Sequence, residues 1–259
     1  PSNPYFSRAI ANRVWANFFG RGLVEQVDDL RLSNPASNEA LLDAAAGHVV
    51  DADFNLKELM RTILRSQTYQ RSSLPLAENR NEFKYLSRYY PRRLMAEVML
   101  DGIDQVLQTT TVFNEVAFPG ADKQKTDFYK QGTRAIELYD ASVNSYFLKT
   151  FGRNPREITC ECERSAEPSL VQVLHLSNGE TLNPKLADQK NRIAKLIDEN
   201  ESDSAIIQTL FVAALTREAS ELELEKLLKI RSEYGEDRGT ALQDIAWSIL
   251  TSTEFTFNH

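Results

Sequence analysis

The chain has 259 residues, of which 42% are hydrophobic and 26% charged, a globular composition with enough length to bury a substantial core. Its 30 basic and 37 acidic residues leave a net charge of −7, which argues against a non-specific nucleic-acid binder or a protein drawn to anionic membranes. The longest apolar run, Ala205–Leu215, falls well short of the roughly 20 residues a membrane span needs, so no span is expected in this segment.

The chain opens at Pro1 with neither an initiator methionine nor a signal peptide, so it reads as a piece of a longer protein. Asn3-Pro4 is a helix start, a capping residue followed by proline at the first helical position. That helix is predicted to run to Phe19 and stop at Gly20, with Phe6, Ile10, Val14 and Phe18 in one row and Trp15 and Phe19 widening it. Arg13 borders this face. A part-buried arginine is normally paired, and Asp28 and Asp29 are the nearest carboxylates. Asn38 is predicted to cap a second helix, EALLDAAAGHVV, whose His48 reads as a surface or satisfied histidine. Asn55 caps a third, LKELMRTILRSQTY, with Leu56, Leu59, Met60, Ile63 and Leu64 as its apolar stripe. The two form an αα-hairpin.

Ser72–Glu82 is polar and loop-like, and Pro91 is then predicted to open a helix carrying Leu94, Met95, Val98, Met99, Ile103 and Val106. Gly102 in that row permits close helix approach. Arg92 and Arg93 fall in its first turn, where positive charge opposes the helix dipole, so acidic partners elsewhere are expected, with an anion site as the alternative. From Thr109 to Asp140 the helical period disappears, and TTTVF and TRAIELY read as short β-segments in a boundary region or an insertion over a cleft. Later, Asn183-Pro184 begins a helix to about Glu199, Ser202 or Asp203 caps the apolar helix that follows, and Ser220 with Glu223 makes a capping box. A last helix runs from about Thr240 to Ser252.

The stretch Phe151–Leu182 holds both cysteines of the chain, Cys160 and Cys162. Arg153, Arg156 and Arg164 crowd around them with Glu157, Glu161, Glu163 and Glu167, and His175 follows on a helix opened by Pro168 and closed at Asn178-Gly179. Three chemistries suit this cluster. A metal could take Cys160, Cys162 and His175, although zinc sites space their cysteines more widely than C-x-C. A reactive thiolate would need net positive surroundings, which the glutamates offset. A structural role, with packed thiols and an ion-pair network, asks least of the spacing. Leu170, Val171, Val173 and Leu174 are predicted to bury, with His175 on a partly apolar face. No dinucleotide, phosphate-loop, zinc-protease, serine-hydrolase or haem-attachment motif is present. Tyr85, Tyr89 and Tyr90, close together, offer a carbohydrate-binding alternative if they form an exposed row.

The blocks NPYFSRAIANRVWANFFGRGLVEQVDDLR, SQTYQRSS, YPRRLMAE, FLKTFGRNPREITCECERSAEPSLVQVLHLSNG and AWSILTSTEFTFNH resemble, in order, the C-terminal domain of unknown function family 1553 of large planctomycete and verrucomicrobial proteins. Cys160, Cys162, Glu163, Arg164, Glu167 and Asn178 match the family block, which assigns them no role. The stretch Thr109–Lys130 departs most from the family pattern. The resemblance implies an exported, periplasmic or cell-surface location, upstream partner domains in the same polypeptide and haem only on a neighbouring cytochrome-c-like domain; an interaction module there would dock against those domains or a polysaccharide-related partner.

The expected architecture is mostly α, a bundle of about eight helices with a few short β-segments in the middle. Residues 1–108 form an N-terminal helical half, 109–150 an irregular connection and 151–259 a C-terminal half, together one compact domain of a larger protein. The expected role is a non-catalytic scaffold or interaction module without a cofactor of its own. A metal- or thiol-dependent enzyme or redox accessory at Cys160 and Cys162 is the alternative, and a carbohydrate-binding module the second.

Overall fold

The structure, a computed structural model, describes residues 3–118, 120–139, 141–154 and 169–258. It is mostly helical, with twelve α-helices among the described residues and only 4% strand. The chain divides into two compact units, residues 1–92 and 93–258.

In the first unit, α1 (Pro4–Phe19) begins at Asn3, whose side chain accepts the Tyr5 and Phe6 N–H groups, and ends at Gly20 with φ 74°. Helices α2 (Glu39–Asp51) and α3 (Leu56–Arg65) are capped by Asn38 and Asn55. The core gathers Ala11, Val14, Trp15 and Phe19 against Leu42, Ala46, Val49, Leu59 and Ile63. The buried face of α1 is therefore rotated from the predicted row, and Phe6 is exposed. Asn12 takes a place in that face. Fully buried, it accepts the Val24 N–H and donates to the Val24 and Val27 carbonyls, tying the following loop to the helix. On α3 only Leu59 and Ile63 bury, while Leu56 and Leu64 stay exposed, because the helix ends at Arg65 and offers a short contact face.

Arg92 and Arg93 are extended rather than helical. The Arg92 guanidinium donates to the Asn17 and Phe18 carbonyls at 2.7 and 2.8 Å, so its charge supports the C-terminus of α1 instead of opposing a helix start. Glu82, in the polar loop, accepts from the Tyr85 and Ser87 N–H groups and from the Ser87 and Tyr90 hydroxyls.

The second unit starts its helices at α4 (Ala96–Leu107), followed by α5 (Tyr146–Thr150), α6 (Leu170–Asn178), α7 (Leu182–Leu186) and α8 (Arg192–Asp198). It continues with α9 (Asp203–Leu215), α10 (Glu221–Glu233), α11 (Arg238–Leu250) and α12 (Thr253–Thr256). Met99, Leu100, Ile103 and Leu107 of α4 meet Ile206, Ile207 and Leu210 of α9 and Leu242, Ile245 and Ile249 of α11 in the core. Gly102 faces the Phe255 ring, which a Cβ there would meet at 3.3 Å. TTTVF is not a strand. Glu115–Val116 pairs instead, antiparallel, with Gln124–Lys125, and Ala135–Glu137 of TRAIELY is a 3₁₀ turn.

The single helix predicted from Asn183 to Glu199 is two helices. Asn191 breaks it: its amide takes the Lys185 and Leu186 carbonyls at the end of α7, and its oxygen accepts the Ala194 N–H to start α8. Ser202 caps α9, leaving Asp203 to pair with Arg231 and Arg238. Ser220 and Glu223 form the capping box of α10.

Candidate functional site

The described part of the Phe151–Leu182 stretch packs against α4 and α5. Ser145 caps α5, which buries Phe147 and Leu148 and delivers Phe151 to the core. Gly152 adopts φ 81°, a left-handed turn that suits glycine, and sends Arg153 inward. The Arg153 side chain is 7% exposed and faces Glu97 of α4, itself 10% exposed, at 3.7 Å between Nε and Oε1. Its Nη2 donates to the Leu138 carbonyl at 3.1 Å. Arg93 lies over the Phe151 ring and donates to the Phe151 carbonyl at 3.1 Å. Burial lowers the pKa of the Arg93 guanidinium.

Helix α6 starts with a reciprocal capping box between Ser169 and Gln172. Its orientation reverses the apolar prediction. Gln172 and His175 are buried, while Leu170, Val171, Val173 and Leu174 are between 51% and 73% exposed. Hydrogen bonds decide this. Gln172 Nε2 donates to the Thr150 carbonyl at 3.0 Å, His175 Nε2 meets the Thr181 hydroxyl at 3.0 Å, and the Trp247 indole donates to the Leu176 carbonyl at 3.2 Å. A buried amide or imidazole costs free energy unless paired, so the face that carries both partners turns inward. The His175 ring lies 5.1, 5.6 and 6.1 Å from the rings of Tyr146, Phe147 and Phe151. Burial pushes its pKa below the ordinary value, with Glu180 opposing in part. Gly179 closes against it: a Cβ there would stand 2.6 Å from His175 Nδ1 and 2.1 Å from the His175 carbonyl oxygen.

Of the residues singled out in this stretch, Arg153 and His175 share one wall of the second unit. Cys160, Cys162, Arg156, Glu163, Arg164 and Glu167 lie outside the described residues. So does the side chain of Asn178, whose backbone ends α6. Among the described residues no three of His, Cys, Asp and Glu gather into a group able to hold a metal ion. His175 spends Nε2 on Thr181 and holds Nδ1 against Gly179. Arg13 pairs with Asp28 at 2.7 Å, and Asp29 with Arg31, both ion pairs of the first unit. Tyr85 is exposed, Tyr89 is buried, and Tyr90 lies between them in exposure and is bonded to Glu82, so the three do not form an exposed row.

Sequence reasoning passes over Glu97, which looks like a solvated helix carboxylate in MAEVML. The signal was its spacing: three residues before Leu100 and ten before Leu107, it sits on the buried face of α4. It also passes over a half-buried carboxylate. Asp104 accepts from the Thr109 and Thr111 hydroxyls at 2.8 and 2.6 Å and pairs with Lys185 of α7. Nearby, a cleft of about 420 Å³ opens between α4, α8 and α9. Its polar lining is already engaged: Arg192 donates to the Val106 and Gln105 carbonyls, Gln208 bonds both ways to the Ala219 backbone, and Thr209 donates to the Ala205 carbonyl.

Fold and site together describe a mostly helical chain in which Arg153 faces Glu97 and Arg93 reaches the Phe151 carbonyl. The family described as PSD1, protein of unknown function (DUF1553), matches residues 1–230, and the chain belongs to that family. The closing block AWSILTSTEFTFNH, residues 246–259, lies beyond the matched residues. No curated protein and no solved structure matches the chain.

Proposed function

We propose that this chain is a non-catalytic binding module of a larger exported protein. The observation that supports it is the use made of the buried polar groups at the candidate site. Arg153 reaches Glu97 and the Leu138 carbonyl, Arg93 the Phe151 carbonyl, Gln172 the Thr150 carbonyl and His175 the Thr181 hydroxyl. Arg153 fastens the Phe151 turn to α4 and Gln172 fastens α6 to α5, while the other contacts tie the same segments to the backbone before α4, to the 3₁₀ turn and to the start of α7, which is the work of a clamp. A reaction centre instead aims such groups at a space where substrate can enter. The exported, multidomain setting with a haem-bearing neighbour is supported by the sequence blocks that resemble the family.

Metal analysis of the purified chain, before and after Cys160→Ser, tests this reading against a metal or redox role. The expected result is less than one equivalent of any transition metal and no change on substitution. One equivalent of metal that is lost with Cys160→Ser contradicts the reading.

A further inference from the structure

Outside the candidate site, the segment between α4 and α5 carries a cluster of aromatic rings on the surface of the second unit. The centroids of Phe128, Tyr129 and Tyr139 stand 5.2, 5.4 and 5.7 Å apart. Phe128 is 62% exposed and Tyr139 59%. The floor beneath them is ordered by hydrogen bonds. The Asp101 carboxylate, from α4, accepts the Ala135 and Ile136 N–H groups at 2.6 and 3.1 Å, and Ala135 and Leu138 are buried in the core. Thr126 donates its N–H to the Asn114 carbonyl, and Val116 bridges to Val143. Little ordering entropy is therefore left to lose when a ligand covers the rings.

The segment that carries the rings also carries both signs of charge. Lys125, Asp127 and Lys130 are exposed with no ion pair among the described residues, and Arg134 pairs with Glu137 at 3.6 Å. Three cations against two anions give a nearly neutral surface that offers hydrogen-bond donors and acceptors together.

We propose that this surface binds an uncharged polysaccharide, with sugar faces on Phe128 and Tyr139 and hydroxyls bonded by Lys125, Asp127 and Lys130. The proposal rests on the reading of the chain as a binding module and names its ligand class. Size and charge select this occupant. Two rings offer roughly 300 Å² to a partner, well short of the ~800 Å² per side that a stable protein interface takes. A polyanion gains little from a segment whose charges nearly cancel, whereas a polyol uses both signs.

Affinity electrophoresis of the whole chain, in gels containing β-glucan, xylan or glucomannan on one side and alginate or heparin on the other, tests it. The expected result is retardation by at least one neutral polymer. Phe128→Ala with Tyr139→Ala should weaken that retardation about tenfold while the far-ultraviolet circular dichroism shows the chain still folded. Phe128→Trp should retain it, and Tyr85→Ala in the first unit should leave it unchanged. The proposal is overturned if no neutral polymer retards the chain, if retardation survives loss of both rings, or if only the polyanions retard it. Shortening of the polymer would instead contradict the non-catalytic reading and leave the binding proposal standing.

Discussion

Gly179 shows how closely the candidate site is built at the scale of single residues. Its φ is ordinary, so what requires glycine is space: the position of a Cβ is already taken by the His175 ring and carbonyl. Gly179→Ala is expected to cost about 1–3 kcal/mol through forced displacement of His175, read as a lowered denaturation midpoint. Two titrating groups give the stability a pH dependence whose sign can be worked out. His175 is buried with a lowered pKa, so the unfolded chain binds more protons than the folded one around its ordinary value. Its contribution is complete above the unfolded pKa of about 6.5 and is lost as pH falls below that value. At Glu82, burial acts to raise the carboxyl, but the Tyr85 and Ser87 N–H groups and the Tyr90 and Ser87 hydroxyls outweigh it and hold it at about 2. Its contribution is present above the unfolded value near 4.5 and is lost as pH falls toward 2. Denaturation midpoints should therefore decline in two windows. His175→Gln should flatten the first and Glu82→Gln should make the second shallower, where Asp29 and Glu223 also contribute, and a variant that leaves its window unchanged removes that residue from the account.

At the scale of elements, side chains rather than periodicity place the breaks. Asn191 gives its amide to the last carbonyls of α7 and its oxygen to the first turn of α8. Asn191→Ala removes a cap and leaves buried carbonyls unpaired, so a loss of about 1–3 kcal/mol is expected. Equilibrium unfolding of that variant checks it, and an unchanged midpoint would show that the break needs no such tie. The starts of helices were legible because a cap is a local event: Asn3, Asn38, Asn55 and Ser220 each bond backbone groups within three residues. The facing of α6 was not legible. Its period could mark the apolar residues, but burial followed Gln172 and His175, whose partners Thr150 and Thr181 are supplied by other segments. The same holds for Arg92, whose extended backbone and bonds to the end of α1 override the helical start signal of Pro91.

At the scale of the whole molecule, each unit has its own apolar core, and the polar groups that interrupt those cores are the ones the sequence hid. The apolar pattern was enough to read the helical class. Asn12, Glu97 and the Asp104–Lys185 pair were hidden because each looks like a solvated polar residue until the fold supplies its partner. The central claim is that Arg153 and Glu97 act as a clamp and not as reacting groups. A double-mutant cycle on Arg153→Met and Glu97→Leu tests it most directly. Breaking a buried pair on one side is strongly destabilising, so each single variant should lose about 3–5 kcal/mol, and the loss in the double variant should fall short of the sum of the two. Singles that match or exceed the stability of the parent chain would contradict the account, since that is how groups held for chemistry at a cost in stability behave.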